Sequence, residues 1–323
     1  MNEYECKKYI TTPNDLKKTL DKYGVAIIPN VLNSEECNKM INDIWDYFEC
    51  ITKSSDKPIK RNDKSTWREF YNLYPLHSML FQYFNVGHSQ AVWNIRQNPK
   101  IIKIFSKFWN VEPNELLVSF DGLSFNPPPE ETNRGWNRNN TWFHSDQSFL
   151  RNEFECVQSW ITGLDVEKGD ATLAFYEKSH KFHKDFKEEF KIEEKSDWYK
   201  LNKEEEKFYL DKGCEIKKIM CPKGSLVFWD SRTIHCGTEA LKTRENKKWR
   251  AVIYLCYQPK TFSDNKQIKK KQKAFNELRT TCHWPAKIKL FPKNPRTYGN
   301  TLPIIDKINN PTLNDVGLSL AGF

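Results

Sequence analysis

The sequence predicts a mainly β protein with flanking helices, and three observations carry that reading. Between Leu116 and Pro259, seven short runs of strand-like composition follow one another across turns with almost no helical pattern between them, which is the texture of an antiparallel sandwich or barrel. The first fifty residues instead read helix, strand, helix, so helices flank the sheets rather than alternate with the strands. Aromatic residues, 11 Trp, 13 Tyr and 21 Phe among 323, supply the buried area that a hydrophobic share of only 38% would not suggest.

Asp15 to Tyr23 has a helical pattern, and Gly24-Val25-Ala26-Ile27-Ile28-Pro29 is an apolar run bounded by Gly and Pro, the mark of a strand. Asn33-Ser34-Glu35-Glu36 reads as a capped helix start, with Met40, Ile41, Ile44, Trp45 and Phe48 recurring at three and four behind it. Residues 51–75 read as polar and aromatic loop, and a second helical zone covers Pro99 to Trp109. The strand-like runs are Leu116–Phe120, Thr141–His144, Cys156–Thr162, Ala171–Tyr176, Glu215–Ile219, Ser225–Trp229 and Ala251–Tyr257. A charged interruption at about Lys181–Lys212 reads as a helical excursion. The tail after Lys260 opens with Lys266-Gln267-Ile268-Lys269-Lys270-Lys271 and ends in loops rich in Pro and Asn. The length allows one large or two small domains. The element order favours one: residues 1–115 as an N-terminal helical region with one strand, 116–260 as the core with its insert at about 181–212, and 261–323 as a basic helical and loop tail.

Lys and Arg exceed Asp and Glu by 51 to 42, a net charge of +9, but 40 of the 51 are Lys. With abundant Asn and Ile, this is the skew of an A+T-rich coding sequence, so the charge counts for less as a sign of an anionic partner. The nine cysteines, Cys6, Cys37, Cys50, Cys156, Cys214, Cys221, Cys236, Cys256 and Cys282, are odd in number and include no C-x-x-C pair, so they read as reduced thiols of an intracellular, cytoplasmic protein. Met1-Asn2-Glu3-Tyr4-Glu5 lacks the basic and apolar regions of a signal peptide, and Ala321-Gly322-Phe323 is not a peroxisomal tripeptide. No stretch approaches the roughly 18 apolar residues of a membrane span, so no membrane partner is expected.

Trp142-Phe143-His144-Ser145-Asp146 holds an H-x-D within a strand-like run. Side chains alternate across a strand, so His144 and Asp146 point the same way, about 7 Å apart along it. A third ligand must come from elsewhere, and His235, in Ile234-His235-Cys236-Gly237, follows the run Ser225–Trp229. Two imidazoles and a carboxylate on one face form the triad that suits non-haem Fe(II) and leave the opposite face open for a cosubstrate and O2.

Four stretches stand in order along the chain. The first is Tyr23-Gly24-Val25-Ala26-Ile27-Ile28-Pro29-Asn30-Val31-Leu32, and the second is the strand with His144 and Asp146. The third runs from Asp165 through Gly169-Asp170-Ala171-Thr172-Leu173 to Ser179-His180. The fourth is Lys223-Gly224-Ser225-Leu226-Val227-Phe228-Trp229-Asp230 followed by His235-Cys236-Gly237. On these residues the chain from about Asp15 to Pro259 resembles the phytanoyl-CoA dioxygenase-like (PhyH) family of Fe(II)/2-oxoglutarate-dependent oxygenases.

The resemblance implies a double-stranded β-helix (jelly-roll, cupin-like) core, with His144, Asp146 and His235 as catalytic metal ligands to Fe(II) and with 2-oxoglutarate and O2 as cosubstrates. It also implies an Arg roughly a dozen residues after the distal His, because a planar guanidinium grips a carboxylate through two parallel hydrogen bonds. Arg250, in Trp249-Arg250-Ala251-Val252-Ile253-Tyr254, fits the start of the last core strand; Arg244, in the polar loop Lys242–Lys247, is the alternative at shorter spacing. Trp160, thirteen residues before Leu173, stands where the family places an aromatic beside the cosubstrate, a core Trp being the other reading. Asp170 and Ala171 stand where the family usually has Asn and Gly. Related iron halogenases replace the carboxylate ligand with a small residue, so the retained Asp146 points to a hydroxylase.

His180 reads as a turn support; His77, His88, His183 and His283 read as surface or core groups, and Cys236 as a small packing residue. The implied activity is hydroxylation of a C–H bond of a small molecule, with succinate and CO2 as coproducts. The loop from Asn126-Pro127-Pro128-Pro129 through Asn133-Arg134-Gly135-Trp136-Asn137-Arg138 precedes the metal strand, where it can cover the site. Its two Arg and one Trp suit an anionic or planar substrate. Two further classes stay open: an oxygenase acting on nucleic acid or protein, for which Lys266–Lys271 and the Trp136 loop speak, and a metal-binding scaffold without turnover.

Overall fold

The computed structural model describes residues 3–73, 80–136, 138 and 141–323, so His77 and Asn137 lie outside the described residues. The chain opens with β1 (Glu3–Glu5), α1 (Leu16–Tyr23), β2 (Val25–Ile28) and α2 (Ser34–Thr52). Next come β3 (Leu80–Phe81), α3 (Gln90–Arg96) and α4 (Pro99–Trp109). The central stretch holds β4 (Leu116–Val118), β5 (Leu123–Asn126), α5 (Pro129–Thr132), β6 (His144–Ser145), β7 (Val157–Thr162) and β8 (Thr172–Tyr176). It continues through α6 (His183–Phe190), β9 (Tyr199–Lys200), α7 (Lys203–Asp211), β10 (Ile216–Ile219), β11 (Leu226–Asp230), β12 (His235–Thr238) and β13 (Arg250–Pro259). Then follow α8 (Asn265–Asn276) and α9 (Asp315–Leu320).

Two sheets form a double-stranded β-helix of the jelly-roll kind, in which each sheet's edges are blunted by short strands and flanking helices. One sheet runs β1-β10-β8-β12-β6-β9 and the other β2-β11-β7-β13-β5-β3, with β4 also on β13. Among the described strands only β1 and β10 pair in parallel.

The sequences of the second sheet follow from what covers it. Ala26 and Ile28 of β2, Leu226 and Phe228 of β11, and Ala251, Ile253 and Leu255 of β13 turn outward into a large apolar cluster with the N-terminal helices. Their neighbours Val25 and Ile27, Val227 and Trp229, and Val252 turn inward, meeting Leu173, Phe175 and Ile219 of the other sheet. With both faces covered, these strands read as unbroken apolar runs rather than as alternation. α2 starts where the sequence marks it: Asn33 Oδ1 accepts from Glu36 N at 2.9 Å and Glu36 Oε2 accepts from Asn33 N at 2.7 Å, a reciprocal cap.

The structure corrects several expectations. The N-terminal region carries three strands rather than one, because β1 and β3 are too short to show any period. Residues 64–73, within the stretch read as loop, form a 3-10 helix whose Trp67 and Phe70 are buried against Trp45 and Trp249. β5 is broken up in sequence by Ser124 and Asn126, and β12 by Gly237. The metal strand shrinks to His144–Ser145, with Asp146 in the bend that follows. The basic run on α8 is partly consumed by packing: buried Lys271 donates to the Val118 carbonyl and lies 4.0 Å from the Phe120 ring centroid, and Lys270 donates to Ile288 O at 2.7 Å. All nine cysteines are free, and no helix among the described residues is long and apolar enough to cross a membrane.

Candidate metal centre and its cavity

Pairing of β12 with β6 sets His235 opposite His144, and the bend after Ser145 brings Asp146 beside both rings. Asp146 Oδ2 lies 3.6 Å from His144 Nε2 and 3.3 Å from His235 Nε2. This is the one His/Cys/Asp/Glu cluster of metal-holding geometry among the described residues, with one donor atom from each side chain all within 4.8 Å of one another. His144 Nδ1 faces the Trp142 carbonyl at 3.1 Å and His235 Nδ1 the Thr233 carbonyl at 2.8 Å. A carbonyl only accepts, so each neutral ring carries its proton on Nδ1 and turns the Nε2 lone pair toward Asp146. Three electron-pair donors facing one another repel unless a cation sits among them, and two imidazole nitrogens with one carboxylate oxygen suit Fe(II).

With a proton in place of a cation between the donors, burial would raise the Asp146 carboxyl, but positive charge on the His144 and His283 rings and Nε2–H hydrogen bonds from the ligand rings would hold it well below the usual range. In that protonated state burial, and then positive charge on His144, push His235 below its ordinary value. Gln158 Nε2 donates to Asp146 Oδ2 at 3.1 Å, and the Trp142 indole stacks flat on His144 with centroids 4.7 Å apart.

The loop that carries His235 is braced by distant parts of the chain. The Gly24 carbonyl accepts from Asp230 N and Thr233 Oγ1, both at 3.0 Å, and Ser179 Oγ accepts from Ile234 N at 2.9 Å. Gly24 sits at φ +82°, and a Cβ there would lie 2.7 Å from Thr233 Oγ1 and 2.8 Å from His180 Nδ1, so only glycine lets the chain approach this loop. His180 pairs with the Asp21 carbonyl at 3.0 Å and supports that turn. His183 and His88 are buried on backbone carbonyls, those of Ser148 and Arg279.

The three donors line a cavity of about 580 Å³. Arg250, 7% exposed, starts β13 on the face that also carries Val252 and Tyr254, and it reaches the same cavity. Its Nη1 donates to Ala171 O at 2.8 Å and its guanidinium carbon lies 5.3 Å from the Trp160 ring centroid; no carboxylate among the described residues pairs with it. Arg244 is engaged elsewhere, with Nε and Nη2 on Glu130 at 2.7 and 2.5 Å and Nη1 on Asp170 at 3.1 Å, and it does not line this cavity. Trp160 and Trp229 both line it, and both indole N–H groups are buried without a partner among the described residues.

The loop from Asn126 to Arg138 does not cover the site: none of its described residues lines the cavity. Glu130 holds it to Arg244, Arg134 lies 4.0 Å from the Tyr71 ring centroid and Trp136 bridges Ala240, all of which draw it aside. The wall is instead built by residues near the C-terminal end of the sequence, Cys282, His283, Trp284, Lys289 and Phe291. His283 thereby leaves the bland surface or core role its sequence suggests. It has no ligand-like spacing to any other group, so no local pattern marked it.

A family model described as phytanoyl-CoA dioxygenase (PhyH) matches residues 20–245. The chain belongs to the phytanoyl-CoA dioxygenase family. It is 26% identical over 279 residues, 84% of this chain and 86% of the relative, to "Ava biosynthesis cluster protein O" of Aspergillus versicolor. It is 33% identical over 113 residues to a putative phytanoyl-CoA dioxygenase of Dictyostelium discoideum, a match spanning 33% of this chain and 30% of that relative. Among solved structures, a hypothetical protein of Escherichia coli shares the fold at a TM-score of 0.60 and 13% identity, over 98% of this chain and 85% of that one. Within the matched range Asp170 holds Arg244 and Lys248 at 3.1 Å each, and the Ala171 carbonyl receives Arg250. The wall residues 282–291 lie outside the matched range.

Proposed function

We propose that this chain is an Fe(II)- and 2-oxoglutarate-dependent dioxygenase that hydroxylates a C–H bond of a small molecule, with succinate and CO2 as coproducts. The observation that carries the reading is that Arg250, free of any carboxylate partner among the described residues, shares one cavity with His144, Asp146 and His235. Iron(II) held by those three side chains, with 2-oxoglutarate bound, supplies the activation of O2 and the oxidation of the C–H bond.

The protein's share is positioning. The Trp142 and Thr233 carbonyls keep His144 and His235 in the ligating tautomer, and Gln158 fixes the Asp146 carboxylate. Arg250, steadied by the Ala171 carbonyl and the Trp160 face, binds the distal carboxylate of 2-oxoglutarate. The capture of Arg244 by Glu130 and Asp170 supports that choice between the two arginines. Trp142, Trp198 and Trp229 exclude water around the donors. The retained carboxylate at Asp146 supports hydroxylation, and the relative's name as a biosynthesis cluster protein supports a small-molecule substrate. One apolar cluster joining Leu16 to Ala321 supports a single domain, and nine free thiols support a cytoplasmic location.

The test is succinate release from 2-oxoglutarate with Fe(II) and ascorbate, together with iron content. Both are expected in the wild type and lost in His144→Ala and Asp146→Ala. A wild-type protein that binds neither iron nor 2-oxoglutarate overturns the proposal.

A further inference from the structure

Residues 280–291 form a small hairpin: Thr281 bridges Leu290, Cys282 N donates to Lys289 O at 2.9 Å, and Phe291 N donates to Thr280 O at 3.0 Å. It docks on the chain between β4 and β5, where Thr281 N donates to Phe120 O at 3.0 Å and Thr281 Oγ1 accepts from Phe120 N at 3.1 Å. From the other side Ala286 N donates to Gln258 Oε1 at 3.1 Å. This register carries His283 and Trp284 into the cavity wall together with Asp121, the residue after Phe120.

Asp121 is an acid with spare capacity. Its Oδ1 accepts from Gly122 N at 2.7 Å and, at the long distance of 3.5 Å, from Gln82 Nε2; its Oδ2 receives no hydrogen bond from the described residues. No Lys or Arg among the described residues forms an ion pair with it, although the His283 ring acts on its charge. Arg96, close by, spends its guanidinium on the Gly87 and Asp121 main-chain carbonyls. Burial raises the Asp121 carboxyl in spite of the Gly122 amide, the His283 ring, Gln82 and Arg96, each of which pulls it down. The other acid on this side, Asp197, is already held by Arg151 at 2.6 Å and Lys289 at 3.3 Å, and Lys200 is exposed with its charge in water. The cavity that Asp121 lines is also walled by Trp284, Tyr254 and Phe291, and by Trp142 and the half-exposed Trp198 against the His144 ring. Its volume of about 580 Å³ is that of a small-molecule site.

We propose that Asp121 and the hairpin 280–291 form the substrate-selecting wall of this cavity, and that the substrate is a flat aromatic small molecule presenting a cationic, hydrogen-bond-donating nitrogen to Asp121. Rings stack on flat substrates and attract cations to their faces, and an unpaired carboxylate among them adds a charge-assisted hydrogen bond that a neutral isostere cannot make. This deepens the reading of the chain as an oxygenase and rests on it for where the chemistry occurs.

The experiment uses two probes that share the 3-ethylindole skeleton and differ by the terminal ammonium, tryptamine and 3-ethylindole, with binding followed by calorimetry on the full chain loaded with Mn(II), so that no turnover is required. The wild type should hold tryptamine at least tenfold more tightly than 3-ethylindole. Asp121→Asn should reduce that ratio to within about twofold, and Trp284→Ala should weaken both probes. Equal binding of the two by the wild type, a preference that survives Asp121→Asn, or no measurable binding of either would overturn the assignment. The wild-type ratio needs no variant to fold. Manganese loading, read by electron paramagnetic resonance, and succinate release report separately on the oxygenase reading; if Mn(II) does not load, the same ratio is measured on the metal-free protein.

Discussion

Two parts of the cavity lining are made in opposite ways. At the metal end, His144 and His235 stand on neighbouring strands, each ring is tied through Nδ1 to a backbone carbonyl, and Asp146 is held by Gln158. At the hairpin end, Asp121 keeps an oxygen without a donor among the described residues, and the hairpin docks on the chain between β4 and β5 from outside the family-matched residues. The contrast separates two demands. Donor atoms that must stay within a few tenths of an ångström belong on a sheet, where neighbouring strands fix them. Groups that choose among substrates need free valence, and a peripheral hairpin can change without moving the sheet.

The sharpest way to break the comparison is at the metal end. His235→Ala should lower succinate formation by roughly a thousandfold, ~4 kcal/mol of barrier, with loss of bound iron. Trp284→Ala should leave iron content unchanged; if iron falls there too, the ends are not separable. Second, Arg250→Gln should raise the KM for 2-oxoglutarate by about a hundredfold, the worth of two charge-assisted hydrogen bonds. Arg244→Gln should leave that KM within about twofold, and a reversed pattern would transfer the role to Arg244.

Third, Gly24→Ala should cost about 2 kcal/mol, because φ +82° is strained for any Cβ and the methyl would press on Thr233, whose carbonyl orients His235. A thermal melt would register the drop, and an unchanged melting temperature would show that the brace is dispensable. The smallest effect concerns pH and touches both ends. Burial lowers His88, bonded to Arg279 near the hairpin, to about 3, and lowers His183, bonded to Ser148 near Asp146, to about 4. Each stays neutral when folded but takes a proton when unfolded below its ordinary 6.5, so stability falls as pH drops from 6.5 toward those values. The loss is about 1.4 kcal/mol per histidine by pH 5.5. Denaturant curves at pH 7.5 and 5.5 should show a shallower decline in His88→Gln and His183→Gln than in the wild type.

What the sequence revealed follows from local chemistry. β2, β7 and β11 are legible because burial on both faces makes them continuous apolar runs, and α2 because its Asn33–Glu36 cap is written in four residues. The H-x-D and the distal His were legible as residues, although the expected strand geometry gave way to a bend that carries Asp146. β5 and β12 were hidden by polar and glycine positions that only the sheet explains. The proposed role of Arg250 over Arg244 rests on Glu130 and Asp170, partners 114 and 74 residues away from Arg244 in sequence. Asp121 and His283 were out of reach altogether, since they meet only because Thr281 pairs with Phe120.

The docking of that hairpin also sets an order of assembly. In a chain emerging from the ribosome, the last strand of both sheets, the three donors and Arg250 all come out ahead of the hairpin residues. On the proposed roles of these two parts, the residues that react emerge before the residues that choose. A clip or premature stop between β13 and the hairpin would then leave the three donors and Arg250 without Cys282, His283, Trp284, Lys289 and Phe291 in the cavity wall.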